Sequence, residues 1–271
     1  MFGRINVFLF CIPQIVIAHQ AIFNHTWNHL TYFHAPDASH ELLDSVANKN
    51  LIFEIDLSWA HSTFNSYVRE GHPYIGHPEE FYTKLGKPFP SKNIDILEFQ
   101  NFLIKNPSIK VLIDIKDEAV YPFLQQFIQA VGPKRCIVHA FVKNWTHIPP
   151  NATTEPHWYR EDVDLFALND ILVQLNVPLI ANCRGFSDAN VKQNNLVSQM
   201  IEDSKRCSSI LSLGLYYPGV PLPNIQFLHA FNDAGYYAWV NGNIPNLEKK
   251  LGNIRYVAMA DRAANCTDLS R

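Results

Sequence analysis

The chain has 271 residues, 47% of them hydrophobic, and a formal charge of −3 from 22 Lys and Arg against 25 Asp and Glu. That balance gives no electrostatic case for nucleic acid as a partner. With only 17% charged residues beside 18 Phe and 11 Tyr, the composition also excludes a disordered chain. The length suits one large domain of the barrel type or two smaller ones.

At the start, Arg4 precedes an apolar core, Val7 to Ala18, broken only by Pro13 and Gln14. This is a signal-peptide shape, too short and interrupted for a membrane span; a buried first helix or strand is the alternative. The expectation is that residues 1–18 are a signal peptide, that 19–271 form a single domain, and that the protein is secreted. No other segment approaches the ~20 uninterrupted apolar residues of a transmembrane helix. Cys11 would leave with the signal, and Cys136, Cys183, Cys207 and Cys266 remain. Their spacing matches no zinc motif. In an oxidising compartment they form two disulfides or stay as buried thiols, and the pairing is open. Glycosylation sequons stand at Asn24, Asn144, Asn151 and Asn265, close to the number chance supplies.

From Leu30 onward, strand-like and helix-like stretches alternate. Strands are predicted at Leu30–His34, Leu51–Leu57, Lys110–Lys116, Cys136–Phe141, Val177–Asn182, Ile210–Tyr216, Tyr236–Val240 and Tyr256–Ala260. Helices are predicted at Ser39–Ala47, Ile94–Lys105, Tyr121–Val131, Asp162–Leu175, Asn190–Asp203, Pro223–Asp233 and Asn246–Leu251. Eight strands and their helices in roughly 240 residues predict an α/β fold, a single (β/α)8 TIM-type barrel. A doubly wound open sheet is the runner-up, but no glycine-rich phosphate loop follows the first strand. The long interruption from Ser58 to Asn93 carries proline, glycine and histidine, and loops of that length are usually functional.

Glu54 and Asp56 interrupt the second strand two residues apart, so both face one side of it. Two like charges on a buried strand repel and lose water, and a hard divalent cation is the natural remedy; solvent exposure or a lysine partner are the alternatives. Reactive residues of a barrel collect at the C-terminal strand ends. There the sequence places His34, Glu54, Asp56, Asp114, Lys116, His139 and Trp239, with His77 in the long loop. His61 and His72 share that loop and compete for the role of His77.

This set resembles the phosphatidylinositol phospholipase C-like phosphodiesterase superfamily, which includes glycerophosphodiester phosphodiesterases and sphingomyelinase D enzymes. The carrying features are His34, the E-x-D pair Glu54 and Asp56, His77, and Asp114. The D-x-K of Asp114 and Lys116, with Trp239, looks more like sphingomyelinase D. Within the superfamily the chain is most similar to the menorin family, in HAPDAS after the first strand, HPEEF, and LSLGLYY. It departs from the H-R-G and H-D motifs of the glycerophosphodiesterases, and Leu215 replaces the aromatic of the menorin S-L-G-W. These departures are read as touching the substrate side.

The resemblance implies a secreted phosphodiesterase acting on a phospholipid or glycerophosphodiester, with contact to a membrane surface. Glu54, Asp56 and Asp114 would hold one divalent cation, Mg2+ ahead of Ca2+. Catalysis would fall to His34, His77 and Lys116, and substrate contacts to Trp239 and His139. The alternatives are a menorin-like extracellular binding or signalling protein on the same barrel, and a glycosidase built on Glu54 and Asp56. The glycosidase is disfavoured because both acids come from one side of the cleft.

Overall fold

A computed structural model describes residues 32–34, 43, 47, 52–65, 68–79, 82, 86, 94–145, 162–184, 187–216, 222–241 and 245–259. The expected signal peptide lies outside the described residues, as do Asn24, Asn151, Asn265 and Cys266. The strands are β1 (Tyr32–His34), β2 (Ile52–Trp59), β3 (Pro73–Ile75), β4 (Lys110–Ile115), β5 (Cys136–Phe141), β6 (Leu179–Arg184), β7 (Ile210–Tyr216), β8 (Tyr237–Asn241) and β9 (Tyr256–Met259). The helices are α1 (Ile96–Lys105), α2 (Tyr121–Val131), α3 (Leu165–Leu175), α4 (Asp188–Gln193), α5 (Leu196–Ser204), α6 (Ile225–Asp233) and α7 (Leu247–Leu251). None is long and apolar enough to cross a membrane.

Eight strands pair in parallel in chain order, β1-β2-β4-β5-β6-β7-β8-β9, while β3 pairs antiparallel with β2. Capping chemistry explains where the helices begin. Asp95 accepts from the amides of Leu97 and Glu98 at the start of α1, and Asp164 accepts from Ala167 at the start of α3. The helix predicted over Asn190–Asp203 is two helices, because Asn195 takes a left-handed conformation (φ 50°) between them.

Strand alternation sorts the side chains into two populations. Phe53, Ile55, Val111, Ile113, Val138, Leu179, Leu213 and Val240 face outward and pack on Phe99, Phe127, Leu168, Leu196 and Phe231 of the helices. The other face carries Leu112, Ile137, Ile180, Leu211, Tyr237, Trp239 and Val257, each 5% exposed or less, in a cluster that contains no helical residue. Among the described residues strands alone bury that face, so the sheet curls round it as a (β/α)8 barrel does. Polar residues share this inner side further along the strands.

Cys136, Cys183 and Cys207 are buried free thiols. Of the two alternatives, buried thiols hold for these three, and the two-disulfide arrangement is corrected, since two bridges among four cysteines need at least one between these three. They sit at separate places on the outer side of the sheet, and Cys183 Sγ donates instead to Trp145 O at 3.1 Å. Burial, opposed by the Arg135 charge, pushes the Cys136 thiol up to about 12.

Candidate functional site

Parallel pairing places registered residues side by side on one face, so cross-strand register dictates which polar groups meet. Asp56 pairs in register with Asp114, and Asp114 with His139, forming one inward row across β2, β4 and β5. Two residues further along, Asn182 pairs with Gly214, and Gly214 with Trp239. Glu54 lies one inward position below Asp56. The backbone of β1 sets His34 in register with Glu54; the side chain of His34 lies outside the described residues.

Lys116 stands between two buried carboxylates, with Nζ 2.8 Å from Asp114 Oδ2 and 3.4 Å from Asp56 Oδ1. Each carboxylate turns its other oxygen to a histidine. Asp56 Oδ2 is 3.0 Å from His77 Nε2, and Asp114 Oδ1 is 3.1 Å from His139 Nδ1. Burial pushes the Asp114 carboxyl up, but the neighbouring His139 and Lys116 outweigh it, holding the group well below the usual carboxylate range.

His77 reaches Asp56 because of β3. This short strand turns back along β2 and is tied by Gly76 N to Asp56 O at 2.9 Å and by Ser58 Oγ donating to Gly76 O at 2.6 Å. Gly76 has φ 142°, a backbone that side chains rarely adopt, and it delivers the chain into His77. Tyr74 OH then donates to His77 O at 2.8 Å. The competing His61 is exposed and pairs with Asp117 at 2.7 Å instead.

The structure brings Glu54, Asp56, Asp114, Lys116, His77 and His139 into one cluster. Trp239 is 3% exposed and stacks against the His139 ring, centroids 5.9 Å apart and ring planes nearly parallel at 12°. Among the described residues, three carboxylates against one ammonium leave two negative charges when both imidazoles are neutral, which a divalent cation would balance. Ligand atoms of Glu54, Asp114 and His139 lie within 4.8 Å of one another, a donor set that fits such an ion. Asp56, expected among the ligands, turns its oxygens toward His77 and Lys116.

Several neighbours carried no assignment from sequence. Asn182 Nδ2 is 2.7 Å from His139 Nε2. Arg184 Nε donates to Asp162 Oδ1 at 2.7 Å, and its guanidinium lies 3.7 Å over the Phe141 ring. Tyr216 edges onto both Phe141 and Trp239, with centroids at 5.7 and 6.3 Å. The signal for Asn182 and Arg184 was the one that exposed Glu54 and Asp56, namely polar residues two apart in a buried strand. The reading of Leu215 as a substrate-side departure is corrected. Strand alternation turns Leu215 into the outer core, where it is 1% exposed, and Tyr216 is the side chain that meets the inner wall.

The sequence matches no family model and no curated protein. Among solved structures it is similar to a glycerophosphoryl diester phosphodiesterase from Parabacteroides distasonis, at 8% identity over 91% of this chain and 87% of that one, TM-score 0.44. A glycerophosphodiester phosphodiesterase from the same organism aligns at 9% identity over 86% of this chain and 92% of that one, TM-score 0.45. A phosphonopyruvate hydrolase bound to oxalate and Mg2+ aligns at 11% identity over 91% and 80%, TM-score 0.47. Likeness at this level assigns neither family nor activity to this chain.

Proposed function

We propose that the chain is a divalent-cation-dependent phosphodiesterase of a phospholipid or glycerophosphodiester-type substrate. The carrying observation is the buried charge cluster, in which Lys116 bridges Asp56 and Asp114 while His77 is held by Asp56. Glu54 and Asp114, with Asp56 beside them, are the residues that would hold the cation. When bound, it supplies Lewis-acid polarisation of a phosphoryl oxygen.

The remaining roles follow from the side chains. Lys116 adds fixed positive charge against phosphoryl oxygens in a site that burial has largely stripped of water. His77 is oriented by Asp56 through Nε2, so its proton exchange with substrate runs through Nδ1. His34, in register with Glu54, is the second acid–base group. One histidine takes the proton of the attacking hydroxyl and the other returns one to the leaving oxygen. Where the attacking hydroxyl belongs to the substrate, the product is a cyclic phosphate. Secretion is proposed on the N-terminal segment alone.

The test is a panel of choline, ethanolamine, inositol and glycerol phosphodiesters read by phosphorus NMR, with Mg2+ or Mn2+ removed by chelation and restored. The expected result is a new phosphorus resonance that needs the cation and is lost in His77→Asn. If no diester turns over while Glu54→Gln alters attachment to cell surfaces, the chain is an extracellular binding protein on this barrel.

A further inference from the structure

His139 is 2% exposed, and its Nδ1, although 3.1 Å from Asp114 Oδ1, makes no hydrogen bond among the described residues. Its other nitrogen is committed, with Nε2 2.7 Å from the Asn182 carboxamide. The ring plane is set by Trp239, stacked at 12°. Asn182 reaches this position only because residue 214 is glycine. A Cβ there would stand 2.3 Å from Asn182 Oδ1 and 2.7 Å from Trp239 Cβ. The uncommitted ring nitrogen is therefore aimed by three neighbours and lies 3.1 Å from Asp114 Oδ1, in a cluster where ligand atoms of Glu54, Asp114 and His139 are within 4.8 Å of one another.

We propose that Asn182 is a positioning residue that makes His139 the nitrogen ligand of the divalent cation. Its carboxamide oxygen accepts Nε2–H, leaving the Nδ1 lone pair facing Glu54 and Asp114. This rests on the cation-dependent reading above. A neutral imidazole carries one N–H and one lone pair, and the partner of one nitrogen decides which the other presents. A half-turn about the terminal carboxamide bond exchanges oxygen and nitrogen within the same contact. In the orientation with Nδ2 toward the ring, Oδ1 has no hydrogen-bond partner among the described residues. The half-turn gives that oxygen the imidazole N–H. A nitrogen ligand also moves the preference away from all-oxygen ions such as Mg2+ and Ca2+ toward Mn2+ or Zn2+.

The full-length protein loaded with Mn2+ tests this by pulsed electron paramagnetic resonance. The expected spectrum shows strong nitrogen-14 coupling from one directly bound imidazole, absent in His139→Gln. Asn182→Leu removes the acceptor, weakens the coupling and lowers Mn2+ affinity by about 10- to 100-fold. Asn182→Asp keeps an acceptor and keeps the coupling. The ratio of Mn2+ to Mg2+ affinity, insensitive to the charge added by aspartate, falls in the leucine variant and holds in the aspartate variant. Mn2+ bound through Glu54 with oxygen ligands alone overturns the inference and leaves the cation-dependent reading standing. Failure of the protein to bind Mn2+ or Mg2+ overturns both. Nitrogen-coupled Mn2+ without turnover of any diester supports the inference and removes the phosphodiesterase reading.

Discussion

The two ends of the strands hold a positive charge in opposite ways, half-buried at one end and buried at the other. At the N-terminal end, Arg135 donates to backbone carbonyls of Leu103, Asn106, Ile109 and Val131, at distances from 2.7 to 3.1 Å. Its partners are neutral and fixed by α1, α2 and the entry to β4. At the C-terminal end, Lys116 is held by Asp56 and Asp114, which are themselves shared with His77 and His139. A cation satisfied by carbonyls is a finished structural joint. One satisfied by ionisable side chains belongs to a set whose pairing can shift when a charge arrives, and that is what a binding site requires.

That contrast breaks first at Lys116. Lys116→Met leaves two buried carboxylates facing each other, and removing one partner of a buried pair costs about 3–5 kcal/mol. Urea unfolding should show the loss, and added Mg2+ should recover part of it by replacing the missing positive charge. Acidification should help this variant as the carboxyls protonate. The sign is opposite in the wild type, where the lowered Asp114 carboxyl contributes stability above about pH 4 that is lost as pH falls below it.

Arg135→Met tests the other end. Losing hydrogen bonds to a charged group should cost about 2–3 kcal/mol, and no cation should restore any of it. Recovery by Mg2+ here would erase the distinction between the ends. Gly214→Ala comes next. Its Cβ collides with Asn182 and Trp239, and overpacking of that kind costs about 1–3 kcal/mol. Cation affinity measured by calorimetry should fall with it.

The smallest effect belongs to the outer core. The Cys136 thiol is pushed up to about 12 by burial, against an ordinary thiol near about 8.5. The fold's preference for the neutral thiol is fully present below the unfolded value and declines as pH rises from there toward 12. Cys136→Ala should flatten this part of the stability profile, and Cys136 should resist alkylation at pH 8 until the chain unfolds.

How much of this was legible in sequence depends on the distance over which each contact is specified. The alternation in Leu51–Leu57 put Glu54 and Asp56 on one side, and the same parity held for Asp114 and Lys116. Apolar runs marked the eight parallel strands. β3 stayed hidden because three residues, Pro73 to Ile75, carry too little pattern to stand out in a long loop. Without it nothing ties His77 to Asp56. The break at Asn195 was obscured by apolar periodicity continuing through it, while the left-handed backbone is a local asparagine choice. Gly214 had no individual signal, because its meaning is a cross-strand clash with Asn182 that exists only once register is known.

The most direct test of the central claim is diester turnover titrated with divalent cation, for the wild type, Glu54→Gln and His34→Asn. Glu54→Gln removes one charge from the cation site, so its turnover should need more cation and recover in part at high concentration. His34→Asn should leave the cation requirement unchanged while the rate falls by about 10² to 10⁴, the usual contribution of positioned proton transfer. Turnover that needs no cation, or that survives both substitutions undiminished, would contradict the account.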